Sequence, residues 1–292
     1  MTAGDIPATP RFGTVRCLRP EGFRAMAYTE WGSEHSTRVV VCVHGLTRNG
    51  RDFDWLAAVL AGQGYRVVCP DVLGRGSSDW LLDPTGYGYP LYMADLAALL
   101  ARYEGCDISW IGTSMGGLLG MFLAAADKTP IRRLVMNDVG PFLPKAALER
   151  IVEYVGKAPT FSSPASAESY LRTILAGFGP LSDAQWQHLT QHSVKAQTQG
   201  GFGLAYDPAI AVPLQAAPVD DVNLWPVWGQ VRCPVLVIRG ALSDLLPVEC
   251  VAGMRASHPA CSEFTVPETG HAPLLASAAE QDAILRWLRA AE

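Results

Sequence analysis

No uninterrupted apolar run in this sequence approaches the roughly 20 residues that span a bilayer, although 49% of its 292 residues are hydrophobic. A membrane span is therefore not expected. Clusters of Lys or Arg are also missing, and the formal charge is −5. Phosphate backbones are held by a concentrated basic face, so no nucleic-acid partner is expected. The seven cysteines, at positions 17, 42, 69, 106, 233, 250 and 261, are odd in number and never form C-x-x-C. They read as buried free thiols with no metal or redox role. The opening MTAGDIPATPRFG has neither a basic segment followed by an apolar one nor a small-residue cleavage site, which points to the cytoplasm. The glycine loop PDVLGRGSSD (70–79) lacks the G-x-x-x-x-G-K-S/T phosphate pattern and leads to no obvious helix, so it is assigned a structural role only. Internal repeats and low-complexity segments are absent.

What the sequence does contain is alternation. Short β-branched runs recur at 38–44, 65–71, 107–112, 131–140, 233–240 and 262–266. Continuous apolar runs of this length suit strands buried on both faces of a parallel sheet. The segments 54–64, 91–105 and 115–126 lie between them with helical patterns, two of them stopped by glycine. Repeated βαβ of this kind gives an α/β doubly wound sheet. Residues 14–32 read as a strand, turn and strand added at an antiparallel edge. From Pro141 to about Trp225 no strand-like run appears. Leu148, Ile151, Val152 and Val155 fall on one helical face there, and Ser163-Pro164 and Ser182-Asp183-Ala184-Gln185 look like helix starts, the latter a capping box. The expected division is a core of residues 1–140 plus 226–292 and a helical insertion of 141–225.

The chemistry is concentrated in WIGTSMGGLLG, where Gly112, Ser114 and Gly116 form G-x-S-x-G between a strand and a helix. That setting mounts a serine on a sharp turn, with glycines giving the neighbouring backbone room and the helix N-terminus adding partial positive charge. A serine hydroxyl needs a base, and the base needs an acid that fixes its tautomer. His271, in PETGHAPLL just past a strand, is the candidate base. Asp244, in ALSDLLP just past the preceding strand, is the candidate acid. Asp138, in NDVG, also ends a parallel strand and is the rival acid, or else caps the turn into the insertion. The order Ser114, Asp244, His271 favours Asp244 because its loop directly precedes that of His271. His44-Gly45-Leu46 follows another strand, which makes the Leu46 and Met115 N–H groups the candidate oxyanion hole; His44 reads as a hydrogen-bonded turn residue. Arg48 is either a contact for a substrate carboxylate or an ordinary exposed arginine.

Taken in order, HGLTRNG, PDVLGRGSSD, GTSMGG, GALSD and TGHAP resemble the α/β-hydrolase superfamily over essentially the whole chain. The resemblance implies the α/β-hydrolase fold: a mostly parallel eight-stranded sheet flanked by helices, with 141–225 similar to the helical cap of carboxylesterases, enol-lactonases and meta-cleavage C–C hydrolases. It implies Ser114 as nucleophile, His271 as base, Asp244 as acid, and Leu46 and Met115 as oxyanion donors, with no metal or organic cofactor. Haloalkane dehalogenases and epoxide hydrolases of this fold place Asp at the elbow, where this chain has Ser114. C–C hydrolases often carry Asn before the nucleophile and Trp after the histidine, where this chain has Thr113 and Ala272. The GHAP loop resembles those of carboxylesterases and the pimeloyl-carrier methyl-ester esterase. The expected function is a carboxylesterase acting on a small-molecule ester, with a C–C or enol-lactone hydrolase and a non-catalytic binding protein as alternatives. Monomer and homodimer both remain open.

Overall fold

The six β-branched runs and the two strands of the 14–32 segment form one eight-stranded sheet. The computed structural model describes residues 9–216 and 218–290; the first eight residues, part of the opening stretch read for an export signal, lie outside the described residues. The strands are β1 (Arg11–Arg19), β2 (Gly22–Trp31), β3 (Arg38–Val43), β4 (Arg66–Pro70), β5 (Asp107–Thr113), β6 (Ile131–Asn137), β7 (Val235–Gly240) and β8 (Cys261–Val266). Their order across the sheet is β1-β2-β4-β3-β5-β6-β7-β8. β1 and β2 pair antiparallel, as does β2 with β4, whereas every pair from β4 through β8 is parallel. This is the α/β-hydrolase fold that the motifs implied.

β3 shows why the runs are apolar throughout. Val39, Val41 and Val43 pack into one core and Val40 and Cys42 into the other, so the strand's two-residue period sends side chains into both faces. On the first face lie α2 (Tyr89–Leu100) and α3 (Met115–Ala125), through Leu96, Leu99, Leu118 and Leu119. The second face is covered by α1 (Asp54–Gly62) through Leu56 and Leu60, and by the C-terminal helix Ala278–Ala290 through Ile284 and Leu288. All seven cysteines are free thiols, and Cys17, Cys42, Cys69 and Cys250 are buried. No helix among the described residues is long and apolar enough to cross a membrane.

Between β6 and β7 the chain forms three longer helices, α4 (Lys145–Tyr154), α5 (Pro164–Ile174) and α6 (Asp183–Ser193). Both expected helix starts are capping boxes: Ser163 exchanges bonds with Ser166, and Ser182 with Gln185. The expectation of no strand here needs correction. Phe142–Leu143 pairs antiparallel with Val222–Asn223, and Val194–Ala196 with Phe202–Leu204. Ladders of two or three residues are too short to leave a periodic signal. The first ladder brings the two ends of the segment together beside the sheet.

Candidate active site

The turn after β5 holds Ser114 at φ 52° and ψ −115°, outside the regions ordinary side chains favour. Such strain, of order 1–3 kcal/mol, persists only where the surroundings over-determine it. Here the Ser114 N–H donates to the Asn137 carbonyl at 2.9 Å, and the Ser114 carbonyl accepts from Gly117 and Leu118 in the first turn of α3. The glycines are explained by contact with backbone. A Cβ on Gly112 would fall on the Gly116 carbonyl, and one on Gly116 on the Val43 carbonyl. Gly120 instead faces the Trp110 ring, letting α3 lie close to β5.

His271 Nε2 lies 3.0 Å from Ser114 Oγ, and His271 Nδ1 lies 2.7 Å from Asp138 Oδ2. The partner of His271 is therefore Asp138 and not Asp244. Asp138 follows β6 directly, at φ 55°, and is fully buried. Its Oδ1 accepts the Gly240 N–H at 2.8 Å, and its Oδ2 accepts the Ser243 hydroxyl at 2.6 Å as well as His271. The loop after β7 thus reaches His271 through Ser243, by way of Asp138, while Asp244 turns outward. Both Asp244 oxygens accept from Arg150, at 2.6 and 2.9 Å, and its side chain is half exposed. Chain order ranked the two candidates wrongly because it does not say which residue of a loop faces inward. Asn137, whose amide donates to Thr113 Oγ1 and to the Pro273 carbonyl, ties the elbow strand to the histidine loop.

Leu46 and Met115 line the same cleft. Met115 opens α3, where backbone N–H groups have no intrahelical acceptor. The Leu46 N–H belongs to the peptide whose carbonyl is that of Gly45, and His44 Nδ1 lies 2.7 Å from that oxygen. His44 Nε2 accepts from Val72 N–H at 3.0 Å, so Nδ1 carries the proton and donates to Gly45. Complete burial pushes the His44 pKa down to about 3, keeping the ring neutral in this role. The residue read as a turn former therefore fixes the peptide that presents one candidate oxyanion donor.

Arg75, inside the glycine loop read as purely structural, is also fully buried. It donates to the carbonyls of Leu46 (2.8 Å) and Leu73 (2.7 Å) and to Tyr92 Oη (2.7 Å), and Nη2 lies 3.8 Å from Met115 Sδ. One guanidinium thus touches both residues of the candidate oxyanion hole. Sequence reading missed it; its one signal was a lone arginine between two glycines just past β4.

Ser114, His271, Leu46 and Met115 open onto a cavity of about 440 Å³. Its walls are mostly aliphatic and aromatic, and the segment between β6 and β7 contributes Leu148, Ile151, Tyr154, Leu175 and Phe178 among others. Arg48 lines it too, but is buried and committed: Nε and Nη2 donate to the two Asp52 oxygens, and Nη1 donates to Ser193 Oγ on α6. Among the described residues, Asp54, His188 and His192 bring possible metal ligands within 4.8 Å of one another. Arg51 already donates to Asp54 Oδ2 there, and His188 Nε2 lies 3.1 Å from the same oxygen. That group joins α1 to α6.

The fold and this cleft define a class: the chain belongs to the alpha/beta hydrolase family, whose profile it matches over residues 40–283. More particularly, it is 47% identical over 283 residues to the 3-hydroxybutyrate-oligomer hydrolase of Cupriavidus necator, which covers 94% of this chain and 96% of that protein. It is 27% identical over 230 residues to the 2-(acetamidomethylene)succinate hydrolase of Mesorhizobium japonicum, covering 78% of this chain and 79% of that one. The crystal structure of an alpha/beta hydrolase from Novosphingobium aromaticivorans superposes with a TM-score of 0.85 at 38% identity, covering 97% of this chain and 99% of that one.

Proposed function

We propose that the protein is a serine carboxylic-ester hydrolase acting on short oligomers of 3-hydroxybutyrate or closely related hydroxyacyl esters, with Ser114, His271 and Asp138 as its triad. The observation that carries this reading is the continuous hydrogen-bond chain from Ser114 Oγ through both ring nitrogens of His271 to the buried Asp138 carboxylate. Ser114 Oγ attacks the ester carbonyl while His271 Nε2 takes its proton, and Asp138 holds the Nδ1–H and stabilises the imidazolium. The oxyanion that forms is met by the Leu46 and Met115 N–H groups. His271 then protonates the departing alkoxide, leaving the acyl group on Ser114. A water that gives its proton to His271 releases the acid and restores the serine.

The substrate class rests on the 47% identical relative, whose name specifies a 3-hydroxybutyrate oligomer. An apolar cavity of about 440 Å³ suits an aliphatic polyester chain. In this reading residues 141–225 act as a cap, since their side chains form much of the wall facing Ser114. Seven unpaired thiols suit a reducing compartment such as the cytoplasm. The test is release of 3-hydroxybutyrate from its dimer and trimer by the wild type and by Ser114→Ala. Equal release by the two proteins refutes the assignment.

A further inference from the structure

Two guanidinium groups line the cavity, and they differ in how firmly they are held. Arg48 is buried, and all three of its nitrogens donate to Asp52 or Ser193. Arg150, on α4, pairs among the described residues with Asp244, through Nε at 2.6 Å and Nη2 at 2.9 Å. The two side chains of that pair are 43% and 51% exposed. Its Nη1 donates to no protein acceptor among the described residues. We propose that Arg150 anchors a free carboxylate of the substrate, so that the cavity selects esters carrying an acid end, with Asp244 holding the guanidinium in place until that carboxylate arrives. This rests on the ester-hydrolase reading and adds to it the chemistry of the far end of the substrate.

The energetics favour exchange. An exposed ion pair contributes little, so a second carboxylate joins or displaces Asp244 at small cost. A carboxylate entering an otherwise apolar cavity without a cation loses hydration that nothing replaces. Arg150 offers it the two-pronged geometry that suits carboxylates, in surroundings drier than bulk water. Of the other acidic side chains at the cavity, Asp52 is already taken by Arg48. Displacement of the sequence-favoured acid from the triad thus leaves Asp244 free for a different task.

The experiment compares the 3-hydroxybutyrate dimer with the same dimer bearing a terminal carboxamide in place of its carboxylate. Binding is measured by calorimetry in Ser114→Ala, which does not consume the ligand, and turnover is measured in proteins that retain Ser114. Arg150→Gln is expected to reduce the preference for the acid over the amide by about three- to fivefold, the loss of one partly exposed charge pair. Arg150→Lys is expected to fall between, and Asp244→Asn to hold or raise the preference. An unchanged preference in Arg150→Gln, with its melting temperature within a few degrees of wild type, overturns the anchor, as does a fall in Asp244→Asn equal to that in Arg150→Gln. Acid-selective binding without turnover in any Ser114 protein would instead refute the hydrolase reading and leave the anchor standing.

Discussion

Replacing Asp138 with asparagine exchanges one carboxylate oxygen for an amide nitrogen, and the surrounding donors decide which way the amide sits. Gly240 N–H must still find an acceptor, which assigns the asparagine oxygen to the position of Oδ1. The amide NH₂ then faces Ser243 Oγ and His271 Nδ1 where Oδ2 had accepted from both. The Ser243 hydroxyl can rotate to accept, but His271 can accept at Nδ1 only by moving its proton to Nε2. Nε2–H then points at Ser114 Oγ, 3.0 Å away, and has no lone pair with which to take the serine proton. A wrong tautomer of this kind lowers kcat by about 10⁴-fold, or about 5 kcal/mol in the barrier. Asp244→Asn breaks only a half-exposed pair with Arg150 and is expected to lower kcat on a neutral p-nitrophenyl ester by less than tenfold. Steady-state kinetics of both variants on that ester, with circular dichroism to confirm folding, make the comparison. A 10³-fold or greater loss in Asp244→Asn together with a near-normal Asp138→Asn would refute the assignment and restore the order expected from sequence.

The contacts around the elbow lead to three more expected outcomes. Gly116→Ala puts a methyl group onto the Val43 carbonyl, backbone that cannot move aside, and is expected to yield unfolded or insoluble protein, whereas Gly62→Ala, with open space at its Cβ, should express normally; soluble, fully active Gly116→Ala would contradict the packing. Arg75→Met leaves the Leu46 and Leu73 carbonyls and the Tyr92 hydroxyl without their donor, costing roughly 3 kcal/mol or more in urea unfolding. Its kcat should also fall by about 100-fold as the oxyanion donors shift, and unchanged kcat would detach Arg75 from the site. His44, held neutral by burial with its pKa at about 3 against an ordinary 6.5, contributes stability that is present above pH 6.5 and lost as pH falls toward 3. The stability gap between wild type and His44→Gln should therefore shrink by roughly 2 kcal/mol from pH 7 to pH 5; a constant gap would mean that His44 is charged or exposed.

The meeting of Ser114 and His271 was legible in the sequence because the signals of both are local. G-x-S-x-G lies between a run that can only be a buried strand and a run that can only be a helix, and Gly-His-Ala-Pro sits just past the last strand. Six strands were legible as apolar runs, and β1 and β2 as a strand, turn and strand at the antiparallel edge. Which carboxylate meets His271 was not legible, because the contact between Asp138 and His271 spans 133 positions and depends on a positive φ and an inward-turned loop. One local sign was available: Asp138 is the first residue past its strand, which ends at Asn137, whereas Asp244 stands four residues beyond Gly240, the end of its own. Arg75 escaped for a related reason. A buried arginine resembles any surface arginine until the carbonyls around it are placed.

The most direct measurement is rapid quenching of the enzyme during turnover of p-nitrophenyl 3-hydroxybutyrate, with peptide mass spectrometry on the quenched protein. The expected result is a burst of p-nitrophenol and one 3-hydroxybutyryl group on the peptide bearing Ser114, both absent in Ser114→Ala. Hydrolysis at the wild-type rate in Ser114→Ala, or an acyl group on any other residue, would contradict the claim that Ser114 is the nucleophile.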